Sequence, residues 1–118
     1  MTDSSNLSFE MFRKTNKERS DYLHPESTRH WTLVDWSNAM AGEAGEVCNV
    51  TKKMQRHLDG IPMNKEKAEA LPAKLKAEIG DVAIYLDLLA HEAGFTLEEC
   101  IRQAFNGKSD ELGLDFRL

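Results

Sequence analysis

The stretch WSNAMAGEAGEVCNVTKKMQRHL (residues 36–58) decides the fold. Its apolar residues recur in steps of 4, 4, 3, 7 and 4, which fit the 3.6-residue period of a helix. These apolar residues are Trp36, Met40, Ala44, Val47, Met54 and Leu58. Thr32 with Asp35 resembles a capping box, and Asp59-Gly60 supplies a stop. The stretch therefore predicts a long helix from about Thr32 to Leu58.

Three further helices are predicted around this one. The first runs from Asn6 to about Tyr22 and is broken by His24-Pro25-Glu26-Ser27. The third runs from Pro72 to Gly94, and its apolar positions are Leu75, Ile79, Val82, Leu86, Leu89 and Ala93. The fourth opens with a capping box from Thr96 to Glu99 and closes at Gly107, with Leu97, Ile101, Ala104 and Phe105 facing inward.

No strand-like alternation interrupts this pattern, so the sequence predicts an all-α fold of four main helices. The 118 residues suit a single domain, with residues 1–5 as a loose tail and residues 64–70 as a helical turn or a loop.

Composition excludes several classes of function. A net charge of -5 provides no basic footprint for nucleic acid. No apolar run reaches the ~20 residues that span a bilayer, and the N-terminus lacks the order of a signal peptide. Two cysteines, Cys48 and Cys100, do not make a disulfide framework. We interpret them as buried thiols and expect a cytoplasmic protein.

Two pairs of acidic residues carry the chemistry. Glu43 and Glu46 are three residues apart on the second helix, and Glu78 and Asp81 are three apart on the third. Residues at this spacing share a helix face, and both pairs border an apolar stripe. Packed together, the two helices would gather four carboxylates, which repel one another unless a cation lies among them. Mg²⁺ suits such oxygen ligands, whereas a solvated acidic face is the structural alternative.

Three glycines lie beside these acids in helix interiors: Gly42, Gly45 and Gly80. Each costs about 0.5–1 kcal/mol relative to alanine. We expect another helix or a ligand to approach the backbone closely at these positions.

These residues resemble a known family, the all-α nucleoside triphosphate pyrophosphohydrolases of the MazG-like and dCTP-pyrophosphatase-like group. Gly42-Glu43-Ala44-Gly45-Glu46-Val47 is similar to the family's Gly-Glu-x-Gly-Glu-Leu, and residues 78–86, EIGDVAIYL, are similar to its Glu-x-x-Asp-Val-x-x-Tyr-Leu. The 31 residues between Glu46 and Glu78 make a somewhat long connection for the group. The similarity runs from about Trp31 to Lys108, most of the chain.

The resemblance implies Mg²⁺-dependent hydrolysis of a nucleoside triphosphate, most simply a deoxynucleoside triphosphate, to a monophosphate and pyrophosphate. Glu43, Glu46, Glu78 and Asp81 match the family's metal-binding positions, where Mn²⁺ can substitute for Mg²⁺. It also implies a MazG-like bundle completed by assembly into a homodimer or homotetramer. Nucleotide-pool housekeeping and phage nucleotide metabolism are both open.

Five further residues are candidates for binding the nucleotide, and each has an ordinary structural alternative. Lys53 continues the face of the first acidic pair, where a lysine meets a triphosphate as a point charge or is simply solvated. Tyr85 either holds sugar or phosphate or packs in the core. Trp31 is a stacking candidate for the base, while Trp36 belongs to the core stripe. Asn106 and Lys108 follow the predicted fourth helix, where the family often places polar residues that touch the nucleotide, whereas the structural alternative for Asn106 is an ordinary residue near a helix end.

Two other functions compete with this interpretation. A di-iron or di-manganese carboxylate bundle uses Glu-x-x-His pairs, but here the third position after each acid is Glu46 or Asp81. A non-catalytic helical interaction module explains the apolar stripes but not the acidic pairs flanked by glycine.

Overall fold

The computed structural model describes residues 6–25 and 30–118. It contains four α-helices and one short 3₁₀ turn, and the described ranges contain no strand. The elements are α1 (Phe9–Leu23), α2 (Leu33–Leu58), the 3₁₀ turn (Ala68–Ala70), α3 (Leu71–Glu92) and α4 (Leu97–Leu112). The predicted all-α class with four main helices is confirmed. Within these ranges, no helix combines the length and apolar character needed to cross a membrane. The predicted tail at residues 1–5, together with Glu26 and Ser27, lies outside the described residues.

The chain divides into two compact units. The central unit comprises residues 34–86, and therefore nearly all of α2 and the first part of α3. The terminal unit comprises the described residues up to Leu33 together with residues 87–118, and therefore α1, the end of α3 and α4. Both acidic pairs fall in the central unit.

The helix ends follow local sequence signals. Ser8 caps α1, because its side chain accepts a hydrogen bond from the Met11 amide at 3.0 Å. The predicted capping box of α4 is present: Thr96 and Glu99 each accept from the other's backbone amide. Gly94 follows α3 with a φ of 85°, the left-handed conformation that glycine adopts without strain.

The predicted end of α4 at Gly107 is wrong. The helix continues to Leu112 and ends at Gly113, which has a φ of 66°. The amide of Leu114 donates to the carbonyl of Ser109 at 2.9 Å, closing the helix in the manner of a Schellman motif. Glycine inside a helix costs only about 1 kcal/mol, so Gly107 is tolerated about one and a half turns before the true end.

The core of the central unit is small. Trp36 and Val50 of α2 are buried, as is Leu71 at the start of α3, which has no exposed surface. Two residues predicted to lie in the apolar stripes are exposed instead: Ile79 by 55% and Leu58 by 81%. Two helices and one connection cannot cover every apolar position of stripes this long.

The terminal unit buries polar as well as apolar residues. Leu88 and Ala90 are buried, and Asp87 accepts a hydrogen bond from the Asn16 amide at 2.9 Å. Buried carboxylates need such partners, since an unpaired polar group away from water is costly. The sequence pattern gave no signal for this pair.

The predicted inward face of α4 is largely wrong. Ile101 is 39% exposed and Phe105 is 43% exposed, Ala104 is exposed, and Leu97 alone of the four is half-buried. The position that α4 buries most is Ser109. An apolar stripe can be read from sequence, but whether another element covers it depends on the number of elements available.

The predicted burial of the two thiols is also wrong. Cys48 is exposed and Cys100 is half-buried. Cys48 lies next to half-buried Val47 but about 100° further around the helix, on the solvent side.

Candidate metal centre

Three acidic side chains come together in the central unit. Glu43 lies on α2, and Glu78 and Asp81 lie one turn apart on α3. Each offers one carboxylate oxygen, and these three oxygens lie within 4.8 Å of one another. All three residues are half-buried. The cluster therefore lies at the edge of the apolar side of both helices, where the sequence predicted it.

The packing of α2 against α3 explains this arrangement. The rings of Trp36 and Tyr85 lie 6.2 Å apart and tilted by 44°. Glu43 follows Trp36 by seven residues, and Glu78 precedes Tyr85 by seven. The two contacts therefore share one antiparallel register, in which a step forward along α2 matches a step back along α3. Trp36 is 8% exposed, so its predicted role in packing is confirmed.

The negative charges of the cluster repel one another when no cation is bound. Burial raises the pKa of Glu43, and the negative charges of Asp81, Glu78 and Glu46 raise it further. A divalent cation among these oxygens would relieve that repulsion, and hard cations prefer carboxylate ligands. The donor set therefore fits Mg²⁺ chemically, although exposed acidic groups also occur without a metal.

Glu46 differs from the other three acids. It is exposed and lies outside the group of three oxygens, although its charge acts on Glu43. The structure thus brings together three of the four predicted ligands directly and places the fourth one turn along α2.

Two of the predicted substrate-binding residues also belong to the central unit, and both have protein partners. Tyr85 is half-buried against Trp36. The Lys53 ammonium donates to Glu66 at 2.8 Å, and the Lys53 side chain is 23% exposed. Lys53 is therefore a paired side chain in this state, not a solvated one.

The other three predicted substrate-binding residues lie in the terminal unit and make local contacts. The ring of Trp31 is 5.4 Å from that of His24. Asn106 exchanges two hydrogen bonds with the backbone of Leu118, at 2.9 and 3.2 Å. Lys108, now inside α4, pairs with Glu111 at 2.9 Å. Their roles toward a nucleotide stay predictions.

The glycines beside the acids have open space around them. A Cβ built at Gly42, Gly45 or Gly80 meets no atom of the described chain within 4 Å. The prediction that another helix approaches the backbone here is wrong for the single chain. That a ligand approaches the backbone at these glycines stays a prediction.

Sequence reasoning missed Glu66. Its carboxylate binds both Lys53 and Lys74, and its carbonyl oxygen lies 2.9 Å from the His57 ring nitrogen Nε2. The sequence around it reads only as a polar connection. No periodicity points to a contact that spans 13 residues between a loop and a helix.

Comparison with known proteins gives a partial match to a phage protein. No family model matches the chain, and no solved structure matches it. Over 67 residues the chain is 33% identical to the Gene 37 protein of Mycobacterium phage L5. The match covers 57% of this chain and 54% of the phage protein, so the chain spans about half the length of that relative. The name of the phage protein states no activity.

Proposed function

We propose that this protein hydrolyses a nucleoside triphosphate, by preference a deoxynucleoside triphosphate, to the monophosphate and pyrophosphate with the help of Mg²⁺. The observation that carries the proposal is the convergence of Glu43, Glu78 and Asp81 within 4.8 Å. The resemblance of both acidic segments to the all-α pyrophosphohydrolases supplies the reaction class.

The residues have distinct roles in this proposal. Glu43, Glu78 and Asp81 would hold the metal, because their oxygens already face one another. When bound, Mg²⁺ supplies neutralisation of the phosphate oxygens and activation of water. Glu46, one turn along α2 and exposed, is the carboxylate left to position the attacking water or to join the ligand set. The open space at Gly42, Gly45 and Gly80 leaves the backbone accessible to the substrate.

The test is to separate the products after incubation with each deoxynucleoside triphosphate and ribonucleoside triphosphate plus Mg²⁺. Monophosphate and pyrophosphate support the proposal, and Mn²⁺ should replace Mg²⁺. Asp81→Asn should abolish turnover while the helical circular dichroism signal persists. Asp115→Asn is the matched control, because Asp115 is exposed and lies outside the cluster. Diphosphate with phosphate as products, or no turnover with any nucleotide, would refute the proposal.

Two measurements separate this function from its competitors. A di-iron or di-manganese bundle would retain iron or manganese through purification, which metal analysis detects. A non-catalytic interaction module would show no turnover, and Asp81→Asn would leave partner binding unchanged.

We also propose that the chain assembles into a homodimer or homotetramer. Exposed apolar side chains on and around α4 support this, because association can bury apolar surface that a single chain leaves exposed. Those exposed by about 40% or more include Phe95, Ile101, Phe105 and Leu112. Size-exclusion chromatography with light scattering tests it, and a stable monomer at micromolar concentration contradicts it.

The cellular role that fits this chemistry is control of the nucleotide pool in a cytoplasm. The partial similarity to a mycobacteriophage protein is compatible with phage nucleotide metabolism as the setting.

A further inference from the structure

Two lysines from different helices converge on a single oxygen of Glu66. Oε1 of Glu66 lies 2.8 Å from Nζ of Lys53 on α2 and 3.4 Å from Nζ of Lys74 on α3. These are the two helices that carry the acidic cluster. At 1.5 Å per residue, Lys74 lies about 6 Å before Glu78 along α3. Of these two cations, Lys74 therefore lies close to the carboxylates, and Lys53 lies seven residues, about 10.5 Å, beyond Glu46 along α2.

Both lysines contact the same oxygen of the Glu66 carboxylate. Its second oxygen, Oε2, is buried and makes no hydrogen bond within the described chain. Oδ1 of Asn64 is buried and unpaired in the same sense. A carboxylate that served only to fasten the loop would gain by satisfying both oxygens, since a buried unpaired acceptor is costly. Release of Glu66 into water would relieve this cost, provided that another anion took its place beside the two lysines.

The loop is held without this carboxylate. The Asn64 side-chain amide donates to the carbonyl of Lys53 at 2.7 Å, and Nε2 of His57 lies 2.9 Å from the carbonyl of Glu66. Neither contact involves the Glu66 side chain. That side chain can therefore rotate away from the two lysines while the loop keeps its place on α2.

We propose that Lys53 and Lys74 form a binding site for the terminal phosphate of a polyphosphate chain, and that the Glu66 carboxylate fills this site until the phosphate displaces it. Lysine ammonium groups bind phosphate as point charges, and a carboxylate is the natural side-chain substitute for that anion. The assignment of the ligand as a nucleoside triphosphate rests on the proposed function. The anion site itself rests on the geometry of the two lysines.

The experiment measures binding of inorganic tripolyphosphate by calorimetry in metal-free buffer of low ionic strength. Glu66→Gln should tighten binding about tenfold, because it removes a competing charge from the site. Lys53→Met and Lys74→Met should each weaken binding about tenfold. Lys52→Met is the matched control, because Lys52 is exposed and adjacent in sequence, and it should leave the affinity unchanged.

Unaltered affinity in both lysine variants, or weaker binding in Glu66→Gln, would overturn the site. If Glu66→Gln fails to fold, Lys74→Met decides, because it leaves the Lys53–Glu66 pair intact. Hydrolysis assays on the same proteins keep the two proposals apart. Tripolyphosphate binding without nucleotide turnover removes the proposed function and keeps the anion site. Turnover with an unchanged KM in both lysine variants removes the anion site and keeps the function.

Discussion

Replacing Asp81 with asparagine should stabilise the metal-free protein and abolish its stabilisation by Mg²⁺. The oxygen of Asp81 lies within 4.8 Å of those of both Glu43 and Glu78. At that distance in a water-like dielectric, each like-charge pair costs about 0.9 kcal/mol, so two pairs cost about 1.7 kcal/mol. Screening at physiological ionic strength lowers the sum to about 1 kcal/mol. Asparagine and aspartate have similar helix propensities, so the charge dominates the difference.

This relief should raise the melting temperature by about 4 °C in a domain of this size. The assay is thermal unfolding followed by circular dichroism, first with EDTA and then with increasing Mg²⁺. The wild-type protein should gain about 2.7 kcal/mol when Mg²⁺ reaches a hundred times its dissociation constant. Asp81→Asn should gain far less, so the two proteins exchange rank as Mg²⁺ increases.

The exchange of rank is what distinguishes a metal site from a solvated acidic face. If the acids were only a solvated face, Asp81→Asn would still be more stable than wild type in EDTA, but Mg²⁺ would not stabilise the wild-type protein. A variant less stable than wild type in EDTA would mean that Asp81 supports the fold, and the repulsion argument would be wrong. Asp115→Asn provides the baseline, since it removes an equal charge at an exposed position away from the cluster.

Three further predictions follow from single residues. Gly45→Ala should raise the free energy of unfolding by about 0.5–1 kcal/mol, because the added methyl group meets open space. If the stabilised variant loses turnover, the ligand binds beside Gly45. A less stable variant would contradict the open space at this position. Gly113→Ala should lower the free energy of unfolding by about 1 kcal/mol, because the φ of Gly113 is 66°. Gly107→Ala should raise the free energy of unfolding, because Gly107 lies inside α4. The opposite order of stability in chemical denaturation would mean that α4 ends at Gly107. The pKa of Glu66 is lowered to about 2, chiefly by its hydrogen bond from Lys53 and then by its own backbone amide. The stability it contributes should therefore be complete above its unfolded pKa and decline as pH falls toward about 2, so the wild-type advantage over Glu66→Gln should narrow below about pH 4.5. A constant difference across that range in acid titrations would refute the pairing.

Local signals in the sequence predicted the helices well, because caps and stops act over a few residues. The capping box at Thr96 and the glycine stop after α3 are both present. Gly107 misled because it follows the apolar residues Ala104 and Phe105, whereas the residues before Gly113 are mostly polar and resemble a tail. The positive φ of Gly113 accompanies the hydrogen bond from Leu114 back to Ser109, which the presence of a glycine does not by itself predict.

Contacts between elements were predicted less well. The clustering of Glu43 with Glu78 and Asp81 was predictable, because two amphipathic helices must join along their apolar stripes and the acids border those stripes. The burial of Asn16 against Asp87 and the capture of Lys53 by Glu66 were not. Polar pairs of this kind depend on which side chains happen to meet across the packing, and hydrophobic periodicity does not encode them.

The register of α2 and α3 predicts in which direction a nucleoside triphosphate would lie along these helices. Within the central unit, the aromatic pair of Trp36 and Tyr85 lies seven residues from the acidic cluster on one side. Lys53 lies ten residues beyond Glu43 on the other side, along the same helix. A triphosphate with its terminal phosphate at the lysines and its cleaved bond at the carboxylates would place its nucleoside toward the aromatic end. Variants at the two ends should then differ in kind: those at the lysines alter affinity for tripolyphosphate and nucleotide alike, while those at Tyr85 alter affinity for nucleotide alone.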